Sequence, residues 1–79
     1  MLAQLEERIA DTFDAADSNG SVWTINEIAS FKLVKSRGSS DWLQYQTRYQ
    51  TTDGYHVNPI AEGKFRIVPL GIEVQRSID

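Results

Sequence analysis

Apolar residues recur at spacings of three and four through the first sixteen positions, where Leu2, Leu5, Ile9, Phe13 and Ala16 are separated by Glu6, Glu7, Asp11 and Asp14. That spacing predicts an amphipathic helix over residues 2–16. Asp17-Ser18 lowers helix propensity, and Asn19-Gly20 is a pair suited to positive φ, so the helix is expected to stop near Asp17. Val22-Trp23-Thr24-Ile25 is β-prone, whereas Thr24-Ile25-Asn26-Glu27 has the Thr-x-x-Glu form of a capping box. A short strand followed by a short second helix over residues 24–30 is the favoured reading. Phe31-Lys32-Leu33 alternates, so a strand is expected to begin by Phe31.

The polar segment Ser36 to Asp41 reads as a loop around Gly38. Beyond it the pattern changes to a period of two. Leu43, Tyr45, Thr47, Tyr49 and Thr51 alternate with Trp42, Gln44, Gln46, Arg48 and Gln50, which predicts a strand with one apolar, aromatic face and one face rich in amides. Asp53-Gly54 is expected to form a two-residue type I′ hairpin turn into a strand over 55–58. Pro59 ends or bulges that strand, Glu62-Gly63 supplies a second turn, and Lys64 to Val68 resumes the sheet. Val68-Pro69-Leu70-Gly71 suits a type I turn, after which Ile72 to Arg76 alternates as a last strand.

Strands joined this tightly are antiparallel neighbours. The expected fold class is therefore α+β: one domain over residues 1–79, with the N-terminal helix packed on a small antiparallel meander or open barrel. Seventy-nine residues can bury only about 60 % of the unfolded chain's surface, and without cysteine neither a disulfide nor a thiolate zinc site can staple the core. Self-association remains as a staple. With 41 % hydrophobic and 24 % charged residues the composition is that of a globular domain. No secretory pattern opens the chain and no apolar run reaches about 20 residues, so the expectation is a water-soluble cytoplasmic protein with no membrane partner.

Charge is uneven. In residues 1–30 Arg8 alone stands against Glu6, Glu7, Asp11, Asp14, Asp17 and Glu27, a net of −5, while residues 31–79 carry a net of +2. That excess is small for a polyanion-binding surface.

Candidate chemistry is thin. Asp14 to Glu27 contains Asp17, Asn19 and Gly20 in the order of a calcium loop, but with Gly20 in sixth place the first ligand position falls on Ala15 and the twelfth on Asn26. A helix end followed by a capped helix start accounts for the segment better. His56 is the only histidine, and although Ser39, Ser40 and Asp41 could complete a catalytic set, nothing in the sequence brings them to it. No metal site, cofactor or catalytic activity is expected.

The row Trp42, Gln44, Gln46, Arg48 and Gln50 is the candidate interaction face, since glutamine and arginine donate bidentate hydrogen bonds and an exposed tryptophan can anchor an interface. The leading expectation is a non-enzymatic interaction module that binds a protein partner or itself. The alternative is nucleic-acid binding. Trp23 to Ala29 resembles the approach into the second helix of a winged-helix DNA binder, which implies a recognition helix between Ser30 and Gln50 and phosphate contacts from Lys35, Arg37 and Arg48. A β-ribbon reader would use the same cations.

Overall fold

The computed structural model describes residues 4–77. Six strands follow one another: β1 (Leu5–Ala16), β2 (Val22–Ser36), β3 (Ser39–Thr51), β4 (His56–Ala61), β5 (Lys64–Ile67) and β6 (Ile72–Arg76). Each pairs antiparallel with the next, and β6 returns to β1, closing a barrel. The meander expected from the short turns is present. The helix is not.

Residues 5–16 of the expected helix form β1, and the segment read as a capped second helix lies within β2; the α+β class is replaced by an all-β barrel. Two physical reasons apply. An isolated helix of about 15 residues is marginal without tertiary packing, so a long partner strand can outcompete it. Moreover, the spacing of four between Leu5 and Ile9, an even number, keeps them on one side of a strand as well as on one face of a helix, while the register shift between Ile9 and Asp11 turns Phe13 to the other side, into the core. The Thr-x-x-Glu pattern is used across strands instead: the Thr24 hydroxyl donates to Asp14, and Glu27 accepts from the Tyr49 hydroxyl. With no helix between Ser30 and Gln50, the winged-helix resemblance has no recognition element.

The turns explain the meander. Asp17 to Ser21 reverses the chain, with the Asp17 carboxylate accepting from the N–H groups of Asn19 and Ser21. At residues 51–55 a hairpin forms, but with three residues, 52–54, between Thr51 and Tyr55 instead of the expected two and not as type I′: none of its non-glycine residues takes positive φ, so Gly54 alone does (φ 96), and Gly54 donates to the Thr51 carbonyl. Glu62-Gly63 forms the two-residue turn between Ala61 and Lys64. Val68–Leu70 makes one turn of 3-10 helix, closed by Gly71 donating to the Val68 carbonyl.

The core is the barrel interior, formed by Phe13 and Ala15 of β1, Ile25 of β2, Val57 of β4, Phe65 and Ile67 of β5 and Val74 of β6. Phe65 lies 5.2 Å from Phe13 and 5.0 Å from Tyr49, ring centre to ring centre, a spacing typical of aromatic pairs. Closure is narrow. Only Ala15 with Arg76 and Ala16 with Gln75 pair across the β1–β6 seam, supplemented by the Ser77 N–H donating to the Asp14 carbonyl.

Strands β1 to β3 are longer than the barrel needs. Their outer halves, residues 5–9, 28–36 and 39–48, continue past it as a three-stranded arm. The molecule measures 54 × 27 × 19 Å with a radius of gyration of 15.7 Å, against about 12 Å expected for a compact chain of this length. At the tip Arg37-Gly38 turns the chain between Ser36 and Ser39, the glycine taking φ 73.

Candidate functional site

The arm carries Trp42, Gln44, Gln46 and Arg48 of the candidate interaction face, with Gln50 just beyond it where β3 pairs with β4, and a β-bulge decides how they are arranged. Ser30 pairs with Gln46, but the next residue of β2, Phe31, pairs with Gln44, leaving Tyr45 as an extra residue in β3. Alternation is broken there, so Trp42 and Gln44 lie on one side of the sheet and Gln46, Arg48 and Gln50 on the other. The expected single row is thus split in two. A second bulge, at Ala10 between Ile9 and Asp11, does the same to β1.

The side continuous with the barrel interior bears Phe31, Leu33 and Trp42, with the Arg8 guanidinium 4.6 Å from the centre of the Phe31 ring and 5.9 Å from that of Trp42. Glu6 binds that same guanidinium. On the same side the Gln44 amide donates to the Thr47 hydroxyl. The opposite side presents Leu5, Ile9 and Leu43, which are 66 %, 63 % and 49 % exposed. Between them Arg48 forms an ion pair with Glu7 and also donates to Gln50, while Ser30, almost fully buried, donates to Glu7. Among the described residues no helix or second sheet covers either side of the arm, although an antiparallel sheet ordinarily packs at least one face.

Both edges of the arm are open. Beyond Gln50 and Tyr49, which pair with β4, residues 39–48 of β3 have no neighbour on their outer edge among the described residues, in which β1 meets β6 only at Ala15 and Ala16. Unpaired edges of this length are sites for strand addition.

The cations expected to contact phosphate are dispersed. Arg37 is in the tip turn and Lys35 pairs with Ser40 close by, whereas Arg48 is about 25 Å along β3 and committed to Glu7. Lys35 and Arg37 make no ion pair among the described residues.

His56 opens β4 on the barrel, its ring nitrogen 2.8 Å from the Asn58 amide oxygen. Its strand neighbour is Gln50, roughly 30 Å along β3 from Ser39, Ser40 and Asp41, so those hydroxyls and that carboxylate are not brought to it. Asp14 to Glu27 is the β1–β2 hairpin, and the described residues contain no group of three or more potential metal ligands.

One polar cluster was not anticipated. Where the arm meets the barrel, Asp11, Glu27 and Tyr49 form a row across three strands; Tyr49 donates to Glu27 at 3.2 Å, and Arg76 reaches Asp11 at 3.0 Å while lying 4.3 Å from the centre of the Phe13 ring. Burial, reinforced by the Glu27 carboxylate, raises the Tyr49 phenol above its ordinary pKa. The cluster ends the apolar core, and its members are too far apart in sequence for spacing to link them.

No helix among the described residues is long and apolar enough to cross a membrane. Comparison with models of known protein families, with curated proteins and with solved structures finds no match to this chain.

Proposed function

We propose that this chain is a non-enzymatic interaction module that binds a protein partner or a second copy of itself, and that the arm is its working part. One observation carries the reading: a sheet about 30 Å long projects from a closed barrel with both edges unpaired among the described residues and apolar side chains on both faces. A lone sheet of this kind is stabilised by whatever covers it. The barrel supplies the fold, and the arm supplies Trp42, Leu43 and Arg48 as anchors of the types that dominate binding energy at interfaces.

The test is capture from the native cell with three forms of the full chain. A partner held by the intact chain and by a barrel-surface variant, Leu70→Ala, but lost from the Trp42→Ala, Arg48→Ala double variant supports the reading. Equal capture by all three overturns it.

A second reading, nucleic-acid binding by a β-ribbon, draws on Lys35 and Arg37, which lie near the arm tip without acidic partners among the described residues. It requires an affinity that falls steeply with added salt and weakens in Arg37→Ala. Absent or salt-independent binding to duplex and to single strands removes it.

A further inference from the structure

Resting on the reading of the arm as the binding element, we infer that its occupant is a second copy of this chain, joined by antiparallel pairing of the two β3 edges about Gln44. Backbone direction identifies the groups available. The Leu33 N–H donates to the Gln4 carbonyl and the Thr24 carbonyl accepts from Thr52, so odd residues of β2 bond to β1 and even residues to β3. In β3, Gln46 and Arg48 therefore turn their backbone groups inward, whereas Trp42, Gln44 and Thr47, opposite Leu33, Phe31 and Ala29 respectively, turn theirs out to the open edge.

Those outward groups match themselves. Placing Gln44 at the two-fold axis sets Trp42 against the second copy's Thr47, both with outward N–H and C=O and both on the barrel-continuous side. Leu43 then faces Gln46 and Asp41 faces Arg48, each pair sharing the opposite side. The bulge makes this register consistent: Thr47 is five positions on from Trp42, yet the extra Tyr45 returns them to one face. Without a bulge at the axis, an odd separation would set each side chain against one pointing the other way.

Two further observations select the same register. Asp41 and Arg48 are the only charged residues in β3, Asp41 makes no ion pair among the described residues, and this register joins them twice with no like charges opposed. This register uses the open edge from Asp41 to Arg48, next to which β4 takes over at Tyr49, and with Tyr45 set aside Gln44 has three paired residues on either side. The second copy's tip therefore ends where β4 begins, the barrels lie at opposite ends, and two three-stranded arms become one six-stranded sheet.

Sedimentation equilibrium of the full chain provides the test. A monomer–dimer equilibrium is expected in the intact chain. Asp41→Arg, which breaks no intramolecular ion pair, should weaken it about tenfold by opposing two arginine pairs. Gln44→Pro should abolish it while leaving the barrel folded, because the lost N–H points to solvent in the single chain. Leu43→Cys combined with Gln46→Cys, in a chain with no other cysteine, should give covalent dimers on oxidation. A chain that stays monomeric at millimolar concentration overturns the inference, and so does a dimer indifferent to Asp41→Arg and Gln44→Pro. In either case capture that depends on Trp42 and Arg48 would still uphold the arm as the binding element for another protein.

Discussion

Arg48 and Glu7 lie 41 residues apart and on strands that are not neighbours, yet the arginine Nη2 is 3.0 Å from the glutamate Oε2. The contact passes over β2, where the nearly buried Ser30 donates to the same carboxylate oxygen, so the three residues form a strap across the width of the arm.

Removing the strap should loosen the arm more than the barrel. Glu7→Ala or Arg48→Ala is expected to cost about 0.5–1 kcal/mol, the range for a well-aligned but solvent-accessible pair. Urea denaturation of both single variants and the double gives their coupling, and amide exchange should accelerate at residues 28–34 before residues 57–74. Additive single effects would mean that the contact contributes nothing.

Stability should also report the phenol within the polar cluster. Tyr49 has a raised pKa in the folded chain, so the fold holds that proton more tightly than the unfolded chain does. Its contribution is complete below about pH 10 and is lost as pH rises through the folded value. Tyr49→Phe should flatten this alkaline decline in urea midpoints measured against pH. An identical decline in both proteins would show that the phenol is not its source.

Truncation inside the barrel should be far more costly than on the arm. Ile67 and Ile25 are fully buried, and replacing either by alanine is expected to cost about 2–5 kcal/mol, a large share of the roughly 5–15 kcal/mol available to a small domain. Ile9→Ala, at a 63 % exposed position, should stay within about 0.5 kcal/mol in the monomer. Thermal melts at low protein concentration distinguish the two.

Gly38→Ala isolates a backbone effect. Its φ is 73 and an added methyl would meet no atom within 4 Å, so the roughly 1–2 kcal/mol expected comes from the left-handed conformation alone. Exchange should quicken around the tip while the barrel amides stay protected.

The sequence displays this fold unevenly. Period-two alternation at 42–51 and the turns at Gly54, Gly63 and Gly71 are visible because each depends on neighbouring residues, and together they specify most of the meander. Leu5 and Ile9 mislead because a spacing of four satisfies both a helix and a strand, and Phe13 because the bulge at Ala10 turns it to the side opposite theirs. The bulges at Ala10 and Tyr45 carry no distinguishing residue type, yet they determine which side chains share a face, and for that reason the candidate row from Trp42 to Gln50 divides. Barrel closure depends on Ala15 and Ala16 meeting Arg76 and Gln75, a pairing that no local pattern encodes. The strap between Glu7 and Arg48 is hidden by the same distance along the chain.

The short β1–β6 seam has a consequence for biogenesis. Asp11 must wait for Arg76, 65 residues downstream, before their ion pair can form, while the β1–β2 and β2–β3 hairpins need only adjacent sequence. The arm's hairpins are therefore expected to form ahead of the seam, leaving the barrel an open trough until its two distant edges meet.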